Sequence, residues 1–178
     1  MRETETESKR ARSTASTLGL DDLSRLGVGE LTRMYREARA PSSLEALSGA
    51  PASRMLTVIG PLGRGPARAL VARLAAHALF PWRGKRFEAS APHHGQGINR
   101  VLGLGEKFRF QLRYDDSVLD GGRCVLLDYD LPENPWVIRQ IRDELREVRP
   151  GLFLGPALLR TRTEPKLVLY FAVDLAQG

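Results

Sequence analysis

Cysteine occurs once, histidine three times and lysine four times in the 178 residues. The single Cys124 excludes an intrachain disulfide and any multi-cysteine metal site. The histidines are His77 and the adjacent pair His93-His94. Neighbouring strand residues point to opposite faces, so that pair needs ligands from elsewhere before it can hold a metal. No apolar run approaches the roughly 20 residues that cross a bilayer, and the opening Met1-Arg-Glu-Thr-Glu-Thr-Glu has no apolar core for a secretory signal. Cys124 and Ser117 have no base near them in sequence, which argues against nucleophilic catalysis. The expectation is a cytoplasmic protein without a cofactor.

What is present is arginine, apolar surface and turns. The hydrophobic fraction is 42% and the formal charge +6, enough for one cored domain and too short a chain for two comfortable ones. The basic residues are spread along the chain rather than gathered, so no dedicated nucleic-acid partner is expected. Residues 1–17 carry almost no apolar side chains and read as a disordered tail. Residues 18–178 read as a single α+β domain.

Helix is expected over Leu18 to Arg39, interrupted at Gly27 and Gly29, with a capped turn at Leu44 to Leu47. Arg54 to Ile59 has the β-branched content of a strand. The apolar set Leu70, Val71, Leu74, Ala75, Ala78 and Leu79 marks an amphipathic helix from Pro66. Gly60-Pro61-Leu62-Gly63-Arg64-Gly65-Pro66 before it lacks the Gly-Lys-Ser/Thr ending of a phosphate loop.

From Trp82 onward six strands are expected: Lys85 to Ala89, Gly97 to Leu102, Lys107 to Tyr114, Arg123 to Tyr129, Leu152 to Arg160 and Lys166 to Leu175. Phe108, Phe110, Leu112 and Tyr114 alternate with Lys107, Arg109, Gln111 and Arg113, placing the two sets on opposite faces. Asp120-Gly121-Gly122 turns the chain into a hairpin. Between the fourth and fifth strands, Asn134 as N-cap and Pro135 start a helix with the stripe Ile138, Ile141, Leu145 and Val148, Arg139 able to pair with Asp143, and Pro150-Gly151 as its end. The fold class is α+β: an antiparallel, strongly curved sheet or small barrel, with helices on the N-terminal side and one helix inserted between strands.

Trp82-Arg83-Gly84-Lys85-Arg86-Phe87, Leu127-Asp128-Tyr129, Gly151-Leu152-Phe153-Leu154-Gly155 and Leu169-Tyr170-Phe171-Ala172 resemble elements of small lipocalin-like (calycin-type) β-barrel proteins of bacteria, over about residues 80–175. Phe80-Pro81 stand where lipocalins carry Gly-x before Trp, and the inserted helix departs from an up-and-down barrel. The resemblance implies a cavity for a small hydrophobic molecule.

The candidate ligand-binding residues are Asn99, Arg100, Tyr114, Asp128, Tyr129 and Tyr170: polar groups able to orient a ligand among apolar strands. No catalytic or metal-ligating residue is assigned. Asp128 or a histidine would be the base if the same pocket served an isomerase or cyclase. A basic interaction module for RNA, anionic lipid or an acidic partner is the third reading.

Overall fold

Alternation of apolar and polar residues resolves into strands in the computed structural model, which describes residues 18–59, 82–101 and 103–177. The tail over 1–17, the Gly60–Pro66 loop and the helix expected from Pro66 to Leu79 lie outside the described residues.

The described residues begin with two short helices, α1 (Leu20–Leu23) and α2 (Val28–Glu37), separated at Gly27, and a 3-10 turn at Leu44–Leu47 capped by Ser43. Eight strands follow among the described residues: β1 (Ala52–Val58), β2 (Trp82–Ala91), β3 (His94–Val101), β4 (Gly105–Asp116), β5 (Arg123–Asp128), β6 (Ile141–Arg149), β7 (Leu152–Leu159) and β8 (Lys166–Asp174). They form one sheet in the order β1-β8-β7-β6-β5-β4-β3-β2, antiparallel throughout. The sheet is a strongly curled half-barrel. Its two edges approach each other just before β1, where Gly49 and Phe87 exchange backbone hydrogen bonds of 2.8 and 3.0 Å. Pairing there shields part of the open edge of β2. No helix among the described residues is long and apolar enough to cross a membrane.

One expected element is overturned. Helix is confined to α3 (Trp136–Arg139), a single turn, and the chain from Ile141 to Arg149 is β6, hydrogen-bonded between β5 and β7. Asn134 does not cap a helix; its amide donates to the carbonyls of Arg109 and Tyr129 at 2.7 and 2.9 Å. Arg139 pairs with Asp130 rather than Asp143. As a strand, the segment sends Ile141, Asp143 and Leu145 to one face and Arg142, Glu144, Arg146 and Val148 to the other. Of the charges that read as a solvated helix face, Arg142, Asp143, Arg146 and Arg149 pair with Asp115, Lys85, Asp120 and Asp174 on other elements, so tertiary pairing overrides the local helical pattern. Pro150-Gly151 then serves as the β6–β7 hairpin turn. Gly155 in β7 is required by close approach, since a Cβ there would stand 1.8 Å from the Glu144 carbonyl oxygen.

The concave face holds Phe87, Phe110, Leu112, Val125, Leu127, Leu145, Phe153 and Phe171 in one buried cluster. Leu44 and Leu47 join it from the 3-10 turn, whose Leu44 N–H donates to Pro92; they stop the interior at the β2–β3 hairpin end. Each such side chain taken fully out of water contributes about 2–3 kcal/mol. On the convex face, α1 and α2 lay Leu20, Leu23, Leu31 and Tyr35 over Leu152, Leu154, Tyr170 and Ala172.

Beside that second cluster lies a buried polar network built on β6. The Glu144 carboxylate accepts from Tyr35 Oη (2.8 Å), Ser117 Oγ (2.6 Å), the Val118 N–H (3.1 Å) and Arg142 Nε (2.8 Å). Arg146 forks onto Asp120 at 2.7 and 2.6 Å and its guanidinium lies 4.5 Å from the Tyr35 ring centroid. The Arg146 hydrogen bonds hold the Asp120 carboxyl below its ordinary value. A carboxyl depressed on folding contributes stability that is complete above its unfolded value near 4 and is lost as pH falls through its folded value. Asp120→Asn should therefore lower stability at pH 7 by about 1–2 kcal/mol and flatten its decline between about pH 5 and pH 2, read from urea unfolding midpoints across that range.

Candidate functional site

Strand parity places a group of polar side chains inside the curl. On β2, Lys85 shares its face with Phe87 and Ala89; on β6, Asp143 shares its face with Ile141 and Leu145. Asn99 reaches inward from β3, and Tyr129 follows the last residue of β5. All four are buried, Lys85 to 3% and Asp143 to 4% exposure.

Their atoms form one network. Lys85 Nζ donates to Asp143 Oδ2 at 2.9 Å, Asn99 Oδ1 at 2.9 Å and Tyr129 Oη at 2.5 Å. Asn99 Nδ2 donates to Tyr129 Oη at 3.1 Å and to the Phe108 carbonyl at 3.2 Å, while Tyr129 donates to Asp143 Oδ2 at 3.1 Å. Asp143 Oδ1 is buried with no hydrogen-bond partner among the described residues.

Aromatic rings surround the ammonium. Lys85 Nζ lies 5.2, 5.2 and 5.1 Å from the ring centroids of Phe110, Tyr129 and Phe171, where the π faces favour a cation. Phe110 meets Phe87 edge-on at 5.7 Å and Tyr129 at a tilt at 5.2 Å. Gly97 on β3 leaves room for this ring, since a Cβ there would fall 2.3 Å from Phe110 carbons.

A backbone irregularity borders the cluster. The β3–β4 register shifts between Ile98 and Asn99, and Phe108 opposite has φ of 60°, the one non-glycine residue with positive φ among those described. This strained conformation aims the Phe108 carbonyl at Asn99 and is held by it.

Burial pushes the Lys85 ammonium below its ordinary value, opposed by the Asp143 charge. The Tyr129 phenol is pushed well above its ordinary value by burial and then by Asp143, so it stays neutral and donates. Together the four residues offer a rigid polar anchor in an apolar lining, chemistry suited to orienting a small molecule or moving a proton.

Of the six sequence-predicted site residues, Asn99 and Tyr129 are brought together here and four stand elsewhere. Arg100 alternates to the other face of β3, opposite Glu106 and Gly84 in register. Tyr114 lies toward the β2–β3 hairpin end, donating to the Pro41 carbonyl at 2.7 Å beneath the Arg123 guanidinium. Asp128 accepts from Arg160 at 2.9 Å and Arg113 at 3.3 Å. Burial alone would raise its carboxyl, but the Asp130 N–H and those two guanidiniums hold it below its ordinary value. Tyr170 donates to Thr32 at 2.9 Å under α2, on the convex side. His93 and His94 are exposed, and no group of three His, Cys, Asp or Glu among the described residues is placed to hold a metal ion. Cys124 is buried, its thiol pushed up by burial to about 12, which leaves it protonated and inert.

Lys85 and Asp143 are not among the six candidate ligand-binding residues. Lys85 had a signal: in a chain that otherwise uses arginine, a lysine of the same parity as Phe87 and Ala89 is directed inward.

The comparisons bear on the fold alone. A solved structure of a protein from Thermomonospora curvata is similar, with a TM-score of 0.52 and 19% identity over 96% of this chain and 97% of that one. No family model matches the chain, and no curated protein matches it.

Removing one charge of the buried pair should be far worse than removing both. Lys85→Met strands the Asp143 carboxylate and should cost about 3–5 kcal/mol, whereas Lys85→Met with Asp143→Leu should lie within about 1–2 kcal/mol of the parent chain. Denaturant unfolding of the two variants checks this.

Proposed function

We propose that the chain is a small-molecule-binding protein of calycin-like type, which takes an apolar ligand against the concave face of the half-barrel and orients it by the Lys85, Asn99, Tyr129 and Asp143 cluster. One observation carries the reading: a polar anchor of four hydrogen-bonded side chains sits inside an otherwise aromatic and aliphatic interior. A buried ion pair rarely stabilises a fold more than apolar side chains of the same volume would. Polar groups placed few and fixed in an apolar concavity are what ligand sites use for orientation. A general basic interaction module has less support, because Arg86, Arg113, Arg142, Arg146, Arg149 and Arg160 each already pair with a carboxylate.

Native mass spectrometry of the purified chain should find an adduct of small-molecule mass that organic extraction releases. Exposure to a hydrophobic compound library should give binders whose affinity falls at least tenfold in the Lys85→Met, Asp143→Leu double variant. Absence of any adduct or binder would remove this reading.

A second reading rests on the same atoms. Three titratable groups, Lys85, Tyr129 and Asp143, lie within hydrogen-bond distance of one another, as proton-transfer enzymes of the isomerase or cyclase kind require. Turnover of enolisable ketones by the native chain, abolished by Asp143→Asn, would decide for it.

A further inference from the structure

We propose that the polar end of the ligand is an uncharged hydrogen-bond donor, an alcohol or phenol hydroxyl, and not a carboxylic acid. This rests on the interior-site reading and follows from counting donors and acceptors. An ammonium has three N–H groups, and those of Lys85 already meet Asp143, Asn99 and Tyr129. The Tyr129 hydroxyl hydrogen is directed at Asp143 Oδ2 and the Asn99 amide at Phe108 and Tyr129. No donor of the cluster is left over for an incoming anion.

What the cluster lacks is a donor. Asp143 Oδ1 is buried and without a partner among the described residues, and a carboxylate oxygen out of water requires a hydrogen bond. A ligand hydroxyl supplies one. A ligand carboxylate brings a second negative charge against the first and has no donor to meet it. A ligand ammonium satisfies Oδ1 but adds a positive charge to a carboxylate whose other oxygen Lys85 already neutralises, in a setting where like charges are costly to desolvate. The neutral donor is the class that fits.

Isothermal titration at pH 7 with 1-octanol, octanoate, octylammonium and methyl heptyl ether separates the cases, since all four carry apolar bodies of similar size. The full chain should bind 1-octanol at least about tenfold more tightly than each of the others, because a site built around a hydrogen bond rejects the partner that cannot complete it. In the Lys85→Met, Asp143→Leu variant the alcohol-to-ether ratio should fall to about twofold or less. Equal affinity for alcohol and ether would mean that water satisfies Oδ1, and tighter binding of octanoate would mean that the ammonium is open to anions. Either result overturns the donor assignment while leaving the interior site standing. Failure of all four to bind would sink the interior site and this inference together.

Discussion

An ammonium on an edge strand meets a carboxylate on a central one, and only a curled sheet allows that meeting. Lys85 is on β2 and Asp143 on β6, with β3, β4 and β5 between them in the sheet order. A flat sheet would hold those strands far apart, since each step between neighbours is about 4.8 Å. The contact therefore spans the concavity, and Phe171 on β8 contributes a ring to the same ammonium. Removing one partner alone leaves a charge where water cannot reach it, whereas removing both does not.

Most of the strand framework was legible because it follows one rule, period two bounded by turn residues. β4 declared itself by alternation, and Ser43 and Gly27 marked the boundaries of the N-terminal turns and helices. β6 was not legible. Ile-Arg-Asp-Glu-Leu-Arg-Glu-Val-Arg has good helix formers, opposite charges at helical spacing and no run of β-branched residues, so every local preference pointed away from strand. What decides it is the company of β5 and β7 and distant partners for three of its charges: Lys85 for Asp143, Asp115 for Arg142, Asp120 for Arg146. None of these is near β6 in sequence.

The interior polar cluster was half legible for the same reason. Asn99 and Tyr129 stood out as polar groups among apolar strands, and both lie in the cluster. Arg100 was credited with its neighbour's position although one step along a strand reverses the face. Tyr170 has the apolar surroundings of a site residue but faces the helices, a distinction that hydropathy alone does not carry. Asp143 was hidden by the helix reading, which assigned its charge to a solvent-facing pair with Arg139.

Asp143 and Glu144 are consecutive and face opposite ways, each anchoring a separate buried network. β6 is thus clamped from the inside by Lys85 and Tyr129 and from the outside by Tyr35, Ser117 and the Val118 N–H. Slippage by one residue would exchange the faces and leave both networks with the wrong carboxylate. A strand held on both sides has little freedom to shift. The shape and polar arrangement of the concave face are therefore set when the chain folds, because two hydrogen-bonded networks on opposite faces fix the same strand.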